Sequence, residues 1–188
     1  LDLFRKFIHL IKIPVVNSLM AVDALPFSDP LRVGFIGSYG NRWANISLSN
    51  SDFVLVLGSR LDIRQTGSQV KEFKRDKIIY HVDCEKGEIN NRVSGCMVVN
   101  STLQSFLTSI IRYIGKKEFQ ARKDWMNEIN SLKNLFPEHK ENPKISGINP
   151  NNFMHKISKF SKKASVIVSD VGQHQMWAAQ SLELGKNQ

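Results

Sequence analysis

The sequence predicts an α/β protein built on a doubly wound parallel sheet, followed by the opening strand and helix of a second α/β domain. Three observations carry this prediction. Residues Phe53–Leu57 read FVLVL, wholly apolar and partly β-branched between a polar residue and a glycine, the pattern of a strand buried on both faces. Similar short runs alternate with stretches of helical periodicity as far as residue 114. Each run opens into glycine, small polar or charged residues, the place where ligands bind beyond the carboxyl ends of parallel strands.

The elements follow in order. Leu3, Phe4, Phe7, Ile8 and Ile11 fall at helical spacing over 3–11, and Pro14 closes that helix. Val15 and Val16 begin a short strand that runs into Asn17, Ser18, Leu19 and Met20, residues that suit either a turn or helix cap or a ligand-facing strand end. Residues 24–30, with Pro26, Asp29 and Pro30, read as a surface loop. A second strand over 31–36 leads into Gly37-Ser38-Tyr39-Gly40-Asn41-Arg42 and a helix over 43–49. That turn leaves backbone N–H groups at a positive helix terminus where a phosphate can sit. It lacks both the third glycine of a dinucleotide fingerprint and the GK[ST] of a P-loop.

Beyond Phe53–Leu57 the loop carries Gly58, Arg60, Asp62, Arg64 and Gly67, either a ligand crevice or a solvated charged loop with turn glycines. A short helix over 68–73 precedes a fourth strand over 77–82. Asp83 ends that strand, placed to hold a ribose hydroxyl or to cap a short helix over 85–92. A fifth strand over 96–99 ends at Asn100, and Leu103, Phe106, Leu107, Ile110, Ile111 and Ile114 then mark the clearest amphipathic helix of the chain. From Lys116 the character changes. A charged helix over 119–135 carries Trp125, Ile129 and Leu132, and the polar, proline-containing stretch 137–150 reads as a connector between domains. A helix over 152–160 and a fresh buried strand over 164–169 open into Asp170, Val171, Gly172, Gln173 and His174.

Bulk composition narrows the function classes. The 188 residues are 41% hydrophobic and 23% charged, which excludes a disordered tail or a collagen-like chain. Lysine and arginine exceed acidic residues by 26 to 17, a net charge of +9. These basic residues are scattered and not interleaved with stacking aromatics, so the sequence predicts a solvated basic surface and no nucleic-acid partner. Cys84 and Cys96 have no CxxC spacing, and the histidines fall at no metal-ligand spacing, so no metal site is expected. Without a long apolar run or a signal-peptide pattern, a cytoplasmic protein with no membrane contact is expected. Both ends fall beside helices, which suggests a piece of a longer protein.

The run SDVGQHQMWAAQ resembles the opening of the diphosphate-binding domain of thiamine diphosphate enzymes, and specifically of the acetolactate synthase (acetohydroxyacid synthase) family. IPVVNSLM, ALPFSDPL, GSYGNRWAN, SDFVLVLGSRLDIRQTG and IIYHVDCEKGEINNRV resemble, in the same order, the middle domain of that family's large subunit, a Rossmann-like domain of the NAD/FAD-binding type. The resemblance implies a central domain over 1–135, a linker over 136–150 and the start of a thiamine diphosphate-binding domain over 151–188. It implies decarboxylation of pyruvate and transfer of the two-carbon unit to a second 2-keto acid, by an enzyme of branched-chain amino acid biosynthesis that works as a homodimer or homotetramer.

By the same resemblance, Val171, Gly172, Gln173 and His174 lie against the diphosphate. Ser18, Leu19, Tyr39, Gly40, Gly58, Arg60, Asp62 and Asp83 match the places that contact a flavin nucleotide held in a non-redox role. The family's activating glutamate and its Mg2+ ligands have no counterpart in this sequence, so no catalytic residue is assigned and the segment by itself is expected to be inactive. Three departures keep FAD, an ADP-like nucleotide and an empty middle domain all open: Leu61 and Ile63 interrupt the family pattern RFDDRVTG, Tyr39 stands where a histidine is usual, and Asn100 replaces an acidic residue. Another thiamine diphosphate-dependent decarboxylase or lyase, or a non-catalytic nucleotide-binding module, are the competing readings.

Overall fold

Parallel strands with flanking helices form the α/β fold expected from the sequence. The computed structural model describes residues 1–141 and 146–188; the expected linker over 136–150 therefore lies partly outside the described residues. The chain divides into two compact units, Leu1–Lys12 with Ser47–Ala121, and Ile13–Ile46 with Arg122–Gln188.

In the first unit, β3 (Phe53–Leu57), β4 (Ile78–Asp83) and β5 (Met97–Asn100) pair in parallel in the order β3-β4-β5. Register runs Phe53↔Ile78 to Leu57↔Val82 and Tyr80↔Met97 to Asp83↔Asn100. Side chains alternate across a strand, so Val54, Val56 and Ile79 share one face. There they pack with Leu61, Val93, Cys96, Val70 and Phe73 into one core. Helices α1 (Asp2–Ile11) and α5 (Leu103–Ile114) pack on each other, with Phe7 and Phe106 meeting edge to face at 6.4 Å. Thr102 caps α5 by accepting from the Ser105 amide, and Gly115, at φ 59, terminates it.

In the second unit, β1 (Val15–Asn17) and β2 (Arg32–Phe35) pair in parallel, with a register shift between Val15 and Val16. Helix α2 (Arg42–Asn50) begins in this unit, and the Trp43 indole N–H donates to the Val33 carbonyl at 2.8 Å. Helices α6 (Lys123–Leu135), α7 (Pro150–Phe160) and α8 (Gln173–Ser181) complete it, with 3-10 turns at Leu19–Ala21 and Glu138–Lys140. Helix α7 starts with the chemistry of a designed helix start: Asn149 accepts from the Asn152 amide and Pro150 occupies the first turn.

Four expectations need correction. Residues 164–169 form no strand; Val166 is 70% exposed and Val168 88%. A strand needs a neighbour to satisfy its amides, and this run has none among the described residues. Residues 85–92 form turns instead of a helix. Asn90 sits at φ 60, and its side chain brackets Cys96, accepting from the Cys96 amide at 2.7 Å and donating to its carbonyl at 3.3 Å. Such side-chain bonding competes with helix formation. The helix expected over 68–73 is α4 (Val70–Lys74), and that over 119–135 begins only at Lys123. A one-turn helix, α3 (Ile63–Thr66), forms inside the loop after β3, where none was expected.

Candidate functional site

The residues singled out from sequence fall on five stretches, each at a strand's carboxyl end or a helix start. In the first unit, Gly58 follows β3 at φ 63, and its N–H donates to the Val82 carbonyl at 2.9 Å. The left-handed backbone there favours glycine, and an added Cβ would also meet Leu103 at 3.1 Å. Leu61, also left-handed at φ 51, turns its side chain into the core and is only 5% exposed. That inward turn leaves Arg60 outside, its Nε 3.3 Å from Glu88 Oε1. Asp62 caps α3: one carboxylate oxygen accepts from the amides of Arg64 at 2.8 Å and Gln65 at 3.2 Å. Ile63, which interrupts the family pattern, is exposed on this turn.

Asp83 closes β4, buried, with its carboxylate accepting from the Glu85 amide at 2.9 Å. Since no helix forms over 85–92, it caps a turn. Asn100, the residue that departs from an acidic pattern, donates to the carbonyls of Asp83 and Cys84, both at 3.0 Å. A carboxylate could not donate there, so the amide side chain adds to the ladder that joins β5 to the end of β4. Two residues not singled out from sequence hold the loop. Arg92 donates to Thr66 Oγ1 at 3.0 Å and to the Gly67 carbonyl at 2.6 Å. Buried His81 donates from Nε2 to the Ser59 carbonyl at 2.9 Å, and its Nδ1 has no partner among the described residues. Arginine in INNRV and histidine inside an apolar strand were visible, but their partners lie about twenty residues away in sequence and no local pattern names them.

In the second unit, Ser18 and Leu19 are half-buried at the end of β1, where Asn17 donates to the Ala21 carbonyl at 2.7 Å. The turn after β2 is held by amide side chains: Asn41 accepts from the Phe35 amide at 2.9 Å, and Asn45 both accepts from the Gly37 amide and donates to its carbonyl, each at 2.9 Å. Gly40 is required by close approach, since a Cβ would lie 2.6 Å from the Ile36 carbonyl carbon and the Phe35 oxygen. Tyr39 is exposed, and its carbonyl accepts from Gln180 on α8 at 2.6 Å. The turn that starts α8 is open: Val171, Gln173 and His174 are exposed, and Gly172 adopts extended φ. The first amides of a helix have no intrahelical acceptor and carry a positive partial charge, so this turn suits an anion. Gln180 lies about 10 Å along α8 from Gln173 at 1.5 Å per residue.

A separate cluster in the second unit was invisible in sequence. His155, on α7, places Nε2 2.8 Å from Glu138 Oε1 and Nδ1 2.8 Å from Glu183 Oε1. Ser181 donates to Glu138 Oε1 at 3.0 Å, and Asn151 donates to Ser181 Oγ at 2.9 Å. The hydrogen bond to Glu138 raises the His155 imidazole against the opposing effect of burial, with Glu183 adding to the rise. Burial pushes the Glu138 carboxyl up, and hydrogen bonds led by that from His155 outweigh it and hold the carboxyl below its usual value. Burial lowers Arg32, which lies over the Phe27 ring at 5.0 Å and feels Glu138 as its countercharge. Burial also lowers Lys133, which donates to the Arg32 carbonyl at 2.9 Å.

Residues 1–110 match the sequence profile described as the thiamine pyrophosphate enzyme, central domain. Among curated proteins the chain is 32% identical over 179 residues to an acetolactate synthase large subunit of Lactococcus lactis, covering 95% of this chain and 30% of that protein. It is 33% identical over 180 residues to acetolactate synthase 1, chloroplastic, of Zea mays, covering 94% of this chain and 28% of the relative. Acetolactate synthase 2, chloroplastic, of Nicotiana tabacum is 34% identical over 185 residues, with 94% and 27% covered. The chain thus spans less than a third of the length of these relatives. With a family match over residues 1–110 of 188, more than half of its length, the chain belongs to the thiamine pyrophosphate enzyme family, through its central domain.

Proposed function

We propose that this chain is part of a thiamine diphosphate-dependent acetolactate synthase, which decarboxylates pyruvate and transfers the two-carbon unit to a second 2-keto acid. The observation that carries the reading is continuity: likeness to acetolactate synthases covers 95% of the chain in the Lactococcus lactis relative, which extends past the central domain into the turn at 171–174. In this reading 1–135 is the central domain, 136–150 a linker and 151–188 the start of the cofactor-binding domain. The protein acts in the cytoplasm as a homodimer or homotetramer.

Bound thiamine diphosphate supplies the electron sink for decarboxylation. The part of this chain is to hold and orient. Backbone amides at Gly172, Gln173 and His174 bind the diphosphate at the start of α8, with Val171 lining the turn, and their exposure fits that group. Gln180 braces the same helix against the turn carrying Tyr39 and Gly40. Mg2+ is held by residues outside this chain. Ser18, Leu19, Tyr39, Gly40, Gly58, Arg60, Asp62 and Asp83 are the positions that match contacts to FAD or an ADP-like nucleotide. Support for an anionic nucleotide comes from Arg60, which projects outward beside a glycine turn at a strand's carboxyl end.

No residue of this chain moves a proton in this scheme, so the 188-residue chain is inactive by itself. The full-length parent, assayed with pyruvate, is expected to form acetolactate in the presence of thiamine diphosphate and Mg2+. Clean decarboxylation of another 2-keto acid without acetolactate would instead favour a different lyase of the family. Calorimetric titration of the chain with FAD and with ADP tests the nucleotide sites; binding of neither would remove them.

A further inference from the structure

We propose that Glu138, His139 and His155 form a binding site for a divalent ion of the zinc type. The donor atoms of these three half-buried side chains lie within 4.8 Å of one another. Two imidazoles with one carboxylate is a donor set that Zn2+ takes up, leaving a fourth position for water, and it disfavours the hard ions Mg2+ and Ca2+. The outer hydrogen bonds that such a site requires are already present. A metal-ligating histidine needs its other ring nitrogen to donate to an acceptor, and His155 Nδ1 lies 2.8 Å from Glu183 Oε1. The carboxylate ligand needs its own support, and Ser181 donates to Glu138 Oε1 at 3.0 Å, itself held by Asn151 at 2.9 Å.

Binding is an exchange at one atom. The ion takes the place of the proton between His155 Nε2 and Glu138 Oε1, now 2.8 Å apart, and that proton leaves to solvent. Donors around tetrahedral zinc stand about 3.3 Å apart, so the two side chains must separate by about half an ångström. His139 is the natural third donor because its ring already stands edge-on to His155, with centroids 6.4 Å apart. Arg32 is the opposing charge, facing Glu138 electrostatically, and it moderates cation affinity. The ion would fasten the turn Glu138–Lys140 to α7 within one unit. None of these residues belongs to the proposed cofactor positions, so this inference stands apart from the thiamine reading.

The test is to strip the 188-residue chain with chelator and titrate it with Zn2+ against a competing chromophoric chelator, with thermal melts in parallel. One Zn2+ per chain is expected, with a raised melting temperature. Glu138→Gln and Glu183→Gln are each expected to weaken binding by about tenfold or more. His139→Phe keeps an aromatic ring against His155 and leaves the Glu138–His155–Glu183 bonds in place. It is expected to melt like the zinc-free parent yet lose zinc affinity by at least about tenfold. Failure of the parent to bind Zn2+, or binding by His139→Phe as tight as by the parent, would overturn the proposal.

Discussion

Two short runs with an apolar, partly β-branched centre, FVLVL at Phe53–Leu57 and SVIVS at 165–169, fare differently in the fold. Each stands before a turn proposed above to face a ligand. The first pairs with β4 along its whole length and adds Val56 to a shared core with Ile79 and Leu61. The second has no ladder partner among the described residues, and Val168 is turned to solvent. Composition gives both runs the capacity to be strands. What separates them is a neighbour: β4 gives Phe53–Leu57 partners for its amides, and burial on the sheet face supplies the stabilisation that ordering a strand requires. Helix α8 forms regardless, because its hydrogen bonds are internal.

This contrast can be broken by substitution, starting where the effect is largest. Ile79→Ala removes a side chain only 2% exposed from the core of the first unit and should cost roughly 2–5 kcal/mol in urea denaturation. A loss below about 1 kcal/mol would mean that this core collapses around the gap. Next comes Gly40→Ala, whose Cβ would press on backbone atoms of Phe35 and Ile36 and should cost about 1–3 kcal/mol. The matching change at Gly172 meets only the rotatable His174 ring and should stay within about 0.5 kcal/mol in thermal melts. Equal costs at the two glycines would show the α8 turn to be as rigidly packed as the turn after β2.

Asp62→Ala deletes the cap of α3 and should cost about 1 kcal/mol, whereas Asp62→Asn, which can still accept, should recover most of it. Val168→Lys should change stability by no more than about 0.5 kcal/mol, because that side chain contacts water already. A loss beyond about 1 kcal/mol would show that 165–169 is packed and would end the contrast with Phe53–Leu57. The two cysteines sharpen it chemically. Cys84 is exposed, whereas Cys96 is buried in the core, and burial pushes its thiol pKa up. Brief iodoacetamide treatment of the folded chain, read by mass spectrometry, should label Cys84 and leave Cys96 unmodified until denaturant is added.

Much of the fold was legible because its signals are local. The alternation of short apolar runs with amphipathic stretches announced five strands in the first hundred residues, and all five form within a few residues of the expected bounds, whereas the sixth, expected over 164–169, does not. The helix expected over 85–92 failed because Asn90 spends its side chain on Cys96, a contact six residues away that periodicity does not report. The candidate positions at strand ends were equally legible, since glycine and polar residues after an apolar run mark where a parallel sheet exposes its backbone. Their supports were not: Arg92 reaches Thr66 and Gly67, and Gln180 reaches Tyr39 across 141 positions. Nor did the histidine spacing hint at a cluster, because Glu138, His155 and Glu183 meet only once α7, α8 and the turn before them are packed together.

By itself, the sequence determined which segments are able to be helical or extended, where glycine must stand, and the family through motifs kept in order. Those properties depend on backbone geometry and on side chains a few residues apart. Tertiary structure alone decided which apolar runs become strands, that Leu61 fills the core while Arg60 turns outward, and that Glu138 and Glu183 converge on the His155 imidazole. Pairing, burial and convergence require a partner distant along the chain, and only the folded backbone brings that partner within hydrogen-bonding distance.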